Sequence, residues 1–104
     1  LLIVGNSFES GANARADYRG ITGTLVSGPS RIEANRIVAR NSGYGIYFDS
    51  PTGTEARKGL IANNFISIFG TSQSWGIYLG GGNYQQVFHN RVLVTSTNAN
   101  SRAF

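Results

Sequence analysis

The sequence repeats one pattern of apolar and polar positions four times. In each copy an apolar residue is followed by two variable residues, an asparagine, one more variable residue and a second apolar residue. The copies lie at residues 3–8, 32–37, 61–66 and 87–92. Their asparagines are Asn6, Asn35, Asn64 and Asn90, at spacings of 29, 29 and 26 residues. A period in this range is typical of solenoid proteins, in which each repeat forms one coil.

A second apolar block follows each asparagine after 10 to 14 residues. Gly45-Ile46-Tyr47-Phe48 and Gly76-Ile77-Tyr78-Leu79 are near copies, and residues 20–23 and 102–104 are weaker ones. Side chains alternate along a strand, so Ile46 and Phe48 share one face and Tyr47 takes the other. No stretch keeps a helical period, and Gly, Ser, Thr and Asn cluster between the blocks. We therefore predict one all-β domain, a parallel β-solenoid of about four coils at residues 1–30, 31–57, 58–85 and 86–104.

The repeated asparagine predicts a structural ladder. Identical positions in successive coils lie about 4.8 Å apart, and a stacked side-chain amide can both donate and accept hydrogen bonds along the axis. Asparagine also tolerates the left-handed backbone that a sharp corner requires. One inward ladder at a corner of the coil is therefore expected from Asn6, Asn35, Asn64 and Asn90. Four independent turn asparagines are the alternative.

Asn-x-apolar followed about a dozen residues later by Gly-Ile-Tyr-(Phe/Leu) resembles the right-handed parallel β-helix repeats of secreted bacterial proteins. Pectate lyases, alginate epimerases, phage tailspikes and surface adhesins share that architecture, so the resemblance concerns the fold and not an activity. It implies an extracellular or cell-surface bacterial location. A leucine-rich repeat is the main alternative, because its motif contains the same asparagine pattern. However, Ser30, Gly59 and Gln85 stand where that motif has leucine, and the return segment carries a second β block instead of a helix.

The composition narrows the chemistry open to such a fold. The 104 residues carry 9 Lys+Arg against 5 Asp+Glu, a net charge of +4, with no Cys and one His. Without cysteine there is neither a disulfide framework nor a thiolate metal site, and no apolar run is long enough to span a membrane. The basic residues are scattered, so nucleic acid is not an expected partner. The excess positive charge either favours an acidic polysaccharide or an anionic cell surface, or serves only solubility.

The sequence shows no catalytic constellation. The β-helix enzymes that act on polyuronates carry a cluster of carboxylates that binds calcium or the substrate, with a base nearby. Here Asp49 aligns with Gly80 in the next copy, so no column stacks two acids. His89, the single histidine, precedes Asn90 and is interpreted as a corner residue. We predict no catalytic residue, no metal site and no cofactor. The alternative is a fragment of a polysaccharide lyase, hydrolase or C5-epimerase whose catalytic residues lie mostly in other coils.

Aromatic residues recur at coil spacing on the face opposite the core. One column lies two residues after the start of the second block and consists of Thr22, Tyr47, Tyr78 and Phe104. The alternation of side chains along a strand turns this position outward. Tyr44 and Trp75 precede the block by one residue, and the same parity turns them inward or onto a corner. The outward column is either a stabilising ladder of rings or a platform for sugar rings or a neighbouring chain. The candidate carbohydrate- or partner-binding residues are Thr22, Tyr47 and Tyr78, with Arg36 and Arg91 as contacts for anionic groups.

The chain begins and ends within apolar strands. We therefore expect flanking β-helix coils or stacked copies to cover its open strand edges, and we expect it to be a segment of a longer solenoid. The expected function is that of a non-catalytic structural or adhesive segment of a secreted or cell-surface bacterial β-helix protein. Its expected partner is a polysaccharide or a cell surface, without insertion into a membrane.

Overall fold

The computed structural model describes residues 1–11, 13, 15 and 17–104, and these residues form an all-β structure. The strands are β1 (Leu2–Val4), β2 (Ser7–Glu9), β3 (Arg19–Thr24), β4 (Arg31–Glu33), β5 (Arg36–Ala39), β6 (Gly43–Asp49), β7 (Gly59–Ala62), β8 (Phe65–Gly70), β9 (Ser74–Gly80), β10 (Gln85–Phe88) and β11 (Arg91–Ser96). Turns rich in Gly, Ser and Asn join them, because these residues tolerate a sharp change of chain direction. None of the described residues lies in a helix that is long and apolar enough to cross a membrane.

Every third strand belongs to the same parallel sheet. Sheet A has the order β1-β4-β7-β10, sheet B the order β11-β8-β5-β2 and sheet C the order β3-β6-β9. The chain therefore passes through the three sheets in turn, which confirms the predicted parallel β-solenoid and gives it about three turns. The fourth repeat supplies β10, β11 and a single bridge between Trp75 and Arg102. The predicted right hand of the coil stays a prediction.

The leucine-rich alternative is wrong for the described part of the chain. Its return segment is a helix, whereas the return segments here are the strands β3, β6 and β9. The second apolar block forms these strands, as the alternation of its side chains predicts.

Columns of apolar side chains, one from each coil, fill the inside of the solenoid. Ile32 of β4 lies level with Ile3 and Ile61 on its two neighbours in sheet A. Ile37 and Ile66 continue the same arrangement in sheet B, and both are completely buried. Burial of each such side chain stabilises the fold by about 1.5–3 kcal/mol. The core thus follows directly from the apolar positions of the repeat.

A glycine interrupts the alternation of side chains in sheet C. In the pairing of β6 with β9, Tyr44 lies level with Trp75 and Ile46 with Ile77, which places Gly45 beside Gly76. A Cβ on Gly45 would lie 2.5 Å from the Gly76 carbonyl oxygen and 2.5 Å from Ile66 Cγ2, so this position points into the packed interior. Two consecutive residues, Gly45 and Ile46, are therefore buried. Side chains before Gly45 therefore point to the opposite face from the one that simple alternation, counted back from Ile46, predicts.

Candidate functional site

The four repeat asparagines form one hydrogen-bonded column at the corner between sheets A and B. The Oδ1 atoms of Asn35, Asn64 and Asn90 each accept from both the backbone N–H and the Nδ2 of the asparagine one coil earlier. The distances are 3.0 and 3.2 Å from Asn6 to Asn35, 3.0 and 3.0 Å from Asn35 to Asn64, and 3.0 and 2.9 Å from Asn64 to Asn90. Asn35 and Asn64 are each only 1% exposed. The column therefore satisfies its own buried polar groups along the axis.

Each side chain in the column also holds the neighbouring sheet. Nδ2 of Asn35 donates to the Ile3 carbonyl oxygen, and Nδ2 of Asn64 donates to that of Ile32, both at 2.9 Å. Asn90 makes the equivalent bond to Ile61, also at 2.9 Å. The amides thus cross-link consecutive coils in addition to the strand pairing.

The left-handed backbone at this corner belongs to the residue before each asparagine. Positive φ angles occur at Gly5 (70°), Ala34 (53°), Asn63 (56°) and His89 (53°). The expectation that the ladder asparagines themselves adopt this conformation is wrong. A two-residue corner places the left-handed residue first, which turns the chain and leaves the asparagine side chain directed inward. His89 is accordingly an exposed corner residue, and its ring lies at right angles to that of Phe88 with a centroid distance of 5.1 Å.

Aromatic rings collect on the outer surface of sheet C. Tyr47 lies level with Thr22 and Tyr78 on the two neighbouring strands. The rings of Tyr47 and Tyr78 are stacked, with centroids 4.8 Å apart and planes 8° from parallel. The Arg19 guanidinium lies over the Tyr47 ring, with its Cζ 4.0 Å from the centroid. Since β6 lies between β3 and β9, Arg19 and Tyr78 cover opposite faces of the Tyr47 ring.

Tyr44 and Trp75 share this outer surface. The Tyr44 ring is 5.1 Å from that of Tyr47 and 6.3 Å from that of Tyr78, at 82° and 79°. With Tyr47 and Tyr78 only 4.8 Å apart, these distances place Tyr44 beside the edge of the Tyr47 ring and not over its face. Trp75 contacts Tyr78 in the same perpendicular manner, at 5.7 Å and 88°. The expectation that Tyr44 and Trp75 point inward is wrong, because Gly45 reverses the parity and its counterpart Gly76 stands at the same point of the next coil. We call this surface the aromatic face; it consists of Arg19, Thr22, Tyr44, Tyr47, Trp75 and Tyr78.

The position of the hydroxyl end of the Tyr78 ring requires a glycine at residue 80. A Cβ at Gly80 would lie 3.0 Å from both Cε1 and the hydroxyl oxygen of Tyr78, and 2.7 Å from Asp49 Oδ1. Only a residue without a side chain leaves room for both groups. The Tyr78 ring therefore extends over Gly80 and carries its hydroxyl towards Asp49.

Phe104 does not continue the tyrosine column. Arg102 pairs with Trp75, and the Gly76 and Ile77 N–H groups donate to the carbonyl oxygens of Arg102 and Ala103 at 2.9 and 3.0 Å. Phe104 therefore comes level with Ile77, one position before the predicted place beside Tyr78, and is 64% exposed. The side chain of Ser101 sets this register, because its Oγ accepts from the Ser74 N–H at 3.0 Å.

No protein-family model, no curated protein and no solved structure matches the chain. The assignment of a function therefore depends on the geometry of these residues.

Arg36 and Arg91 lie on sheet B, away from the tyrosines of sheet C. They occupy one row of the outer surface, in which Ser7, Arg36, Phe65 and Arg91 follow one another across the sheet. The structure thus separates the five candidate binding residues into two groups. The physical reason is their place in the repeat: the residue after the corner asparagine begins sheet B, and the Gly-Ile-Tyr block lies on the next side of the coil.

The two arginines also differ in their contacts. Arg36 Nη1 is 3.5 Å from Glu9 Oε2, whereas the Arg91 guanidinium lies over the Phe65 ring at 5.6 Å. Arg40 binds Glu9 as well, with Nε donating to Oε1 at 2.9 Å. The hydrogen bond and charge of Arg40, with a smaller contribution from Arg36, hold the pKa of the Glu9 carboxyl below its ordinary value. Arg36 is therefore engaged in an ion pair within the chain.

Three further acidic side chains each have a partner one or two residues away in the sequence. Glu33 accepts from Arg31 Nε at 2.9 Å, Asp17 lies 3.4 Å from Arg15, and Asp49 accepts from the Ser50 hydroxyl at 3.4 Å. Among the described residues, no three His, Asp or Glu side chains are placed to hold a metal ion. The described surface has no pocket, so the aromatic face is its most distinctive chemical feature.

Proposed function

We propose that the chain is a non-catalytic structural segment of a secreted or cell-surface bacterial protein of the right-handed β-helix kind, and that its aromatic face contacts a glycan. The observation that carries the proposal is the outward clustering of Tyr44, Tyr47, Trp75 and Tyr78 beside Arg19. The interior of the solenoid is already filled by isoleucine, so these rings are not required to complete the core.

A structural role is supported by the continuity of interactions along the axis. The asparagine column links all four repeats, and each sheet pairs its strands in register from one coil to the next. Such nearest-neighbour stacking forms a rod whose stability grows with each added coil. Such a rod is suited to presenting the side chains on its outer surface at a distance from the structure to which it is attached.

Contact with a glycan is supported by the polarity and shape of the aromatic face. Both faces of the Tyr47 ring are covered, by Arg19 and by Tyr78, so a sugar stacked on Tyr47 would have to displace one of them. The far side of Tyr78 and the adjoining Trp75 ring are the contact points for the apolar C–H side of a sugar. The Arg19 guanidinium and the formal charge of +4 favour a glycan that carries carboxylates.

The decisive experiment measures binding of the 104-residue chain to polygalacturonate, alginate and a neutral glucan, by glycan array and by calorimetry. The double change Tyr78→Ala and Trp75→Ala, or Tyr47→Ala and Tyr78→Ala, is expected to abolish binding while the β-sheet circular dichroism is retained. Tyr84→Ala is the matched control, because Tyr84 is 52% exposed but lies outside the aromatic face. Arg19→Gln is expected to weaken binding to the acidic polymers selectively.

Two results would overturn the glycan contact: no binding by the unchanged chain, or equal binding by the double variants. The stacked tyrosines would then serve packing alone, at about 0.5–1.5 kcal/mol for the pair. The alternative is a fragment of an enzyme whose catalytic residues lie in other coils. It stays a prediction.

A further inference from the structure

The aromatic face has a polar end, at which three side-chain oxygens meet. The outward row of sheet C that follows the tyrosines consists of Thr24, Asp49 and Gly80. A Cβ on Gly80 would lie 2.7 Å from Asp49 Oδ1 and 3.0 Å from the Tyr78 hydroxyl oxygen, so these two oxygens are no further apart than the sum of the two distances. The Ser50 hydroxyl lies 3.4 Å from Asp49 Oδ1. We call the side chains of Asp49, Ser50 and Tyr78 the polar end.

The oxygens of the polar end are free to form further hydrogen bonds. In the part of the chain that the structure describes, the Asp49 carboxylate forms no ion pair and accepts only the long bond from Ser50. The Tyr78 hydroxyl has no hydrogen-bond partner among the same residues. Glu9 and Glu33 differ in this respect, because each of them binds an arginine. The half-buried carboxylate of Asp49 therefore has room for a donor from outside the chain.

The polar end opens outward from the sheet and not along the solenoid axis. Asp49 is the last residue of β6, which pairs with β3 on one side and with β9 on the other. Its side chain points to the same face as that of Tyr47, two residues earlier on the strand. The accessibility of this carboxylate is therefore a property of the outer surface of sheet C.

We infer that the polar end binds a hydroxyl group of the glycan, which donates its proton to Asp49 and accepts a hydrogen bond from the Tyr78 hydroxyl. The inference rests on the proposed function and names the chemical group that this end of the aromatic face recognises. A carboxylate only accepts hydrogen bonds, whereas a phenol also donates. One sugar hydroxyl therefore satisfies both, because it donates and accepts at the same oxygen. A carboxylate of the glycan would instead be repelled by Asp49.

The positive charge of the aromatic face lies on the other side of this contact. The Arg19 guanidinium covers the Tyr47 ring at 4.0 Å and forms no ion pair with any described residue. Tyr47 and Asp49 are two residues apart on one strand, which separates their Cα atoms by about 7 Å. An acidic sugar that places a hydroxyl at Asp49 thus directs its carboxylate towards Arg19. The two charges together give the bound glycan one orientation.

The change Asp49→Asn distinguishes an accepted hydroxyl from simple repulsion, because the two predict effects of opposite sign. If Asp49 accepts a hydroxyl, loss of its charge raises the dissociation constant about tenfold. If Asp49 only repels an acidic polymer, the same change lowers that constant. Glu55→Gln is the matched control, since it removes one negative charge at an exposed residue outside the aromatic face. Calorimetry measures both on those polymers, among polygalacturonate, alginate and the neutral glucan, that the unchanged chain binds.

Tyr78→Phe tests the second partner of the hydroxyl and keeps the ring. It is expected to raise the dissociation constant by about threefold to tenfold, whereas the control Tyr84→Phe leaves it unchanged. The double variant Asp49→Asn and Tyr78→Phe is expected to lose less than the product of the two single effects, because both groups hold one hydroxyl. Thermal unfolding checks that each variant is folded. Single effects that multiply would show that the two side chains contact different groups, which would contradict a shared hydroxyl.

A change in the ligand identifies the recognised group. The bound polymer with its hydroxyls O-methylated is expected to bind the unchanged chain more weakly than the native polymer, and Asp49→Asn is expected to reduce this preference. Binding by Asp49→Asn and Tyr78→Phe that equals or exceeds that of the unchanged chain would overturn the inference and leave the glycan contact intact. Failure of the unchanged chain to bind any of the three polymers would overturn the proposed function, and the inference with it.

Discussion

Replacement of Asn64 by leucine removes the central link of the asparagine column and keeps the number of side-chain heavy atoms and the branching at Cγ. Four hydrogen bonds are lost: Nδ2 donates to Asn90 Oδ1 and to the Ile32 carbonyl, both at 2.9 Å, and Oδ1 accepts two bonds from Asn35 at 3.0 Å. The Asn35 backbone N–H is left without an acceptor in a buried corner, at a cost of about 1–3 kcal/mol. The other three bonds each contribute about 0.5–1.5 kcal/mol. We therefore expect the free energy of unfolding to fall by about 3 kcal/mol or more.

A loss of that size is a large part of the stability of a small domain, which is about 5–15 kcal/mol. It corresponds to a decrease of about 10 °C or more in Tm for a chain of this length. Thermal and urea unfolding, followed by circular dichroism at a fixed low concentration, measure it. Asn83→Leu is the matched control, because Asn83 is an exposed asparagine outside the column. If the two leucine variants unfold at the same midpoint, the column contributes nothing and the reasoning is refuted.

Two further perturbations probe other parts of the fold. Gly45→Ala should destabilise by about 1–3 kcal/mol, because its Cβ would lie 2.5 Å from a backbone oxygen and a core methyl group; urea unfolding measures the loss, and an unchanged midpoint would mean that the interior is not packed at this point. Glu9 contributes a pH-dependent part of the stability. Its pKa is lowered in the folded chain by Arg40 and Arg36, so this contribution is present above the ordinary glutamate pKa and is lost as the pH falls through the lowered value. Glu9→Gln should therefore flatten the decrease of Tm at acid pH, and an identical acid profile in both proteins would contradict the ion pairs.

The repeated asparagines, together with the apolar positions around them and the second apolar block, were enough to predict the solenoid and the composition of its core. Ile32, Ile37 and Ile61 occupy fixed places around the asparagine, and a strand that is buried on one side requires this alternation. The stacking of Asn35 on Asn64 follows as well, since identical residues in successive coils must meet at the strand spacing. These features are local to the repeat, so they are visible in the sequence as a repeat.

The failed expectations for Tyr44 and Trp75 have one origin. Simple alternation places Tyr44 and Tyr47 on opposite faces, whereas both lie on the aromatic face. The difference arises at Gly45, which is drawn inward because neighbouring coils approach too closely there for a side chain. The repeat of an aromatic residue before this glycine, in Tyr44-Gly45 and Trp75-Gly76, is the signal in the sequence that could have indicated the surface. The contact of Arg19 with Tyr47 has no such signal, because Arg19 occurs in one coil only.

The sequence by itself therefore determined the period, the strand positions, the buried columns and the identity of the corner asparagines. The tertiary structure alone decided which sides of the coil the exposed residues occupy. The exposed Arg36 and the half-buried Tyr47 both point outward from one coil, and only the corner between sheets B and C places them on different surfaces. The physical reason is that burial imposes a pattern on the apolar residues, which must repeat to fill the core. An outward-pointing side chain is in water whichever side of the solenoid it lies on. The side on which it lies is therefore determined only by the angle and register of the corners.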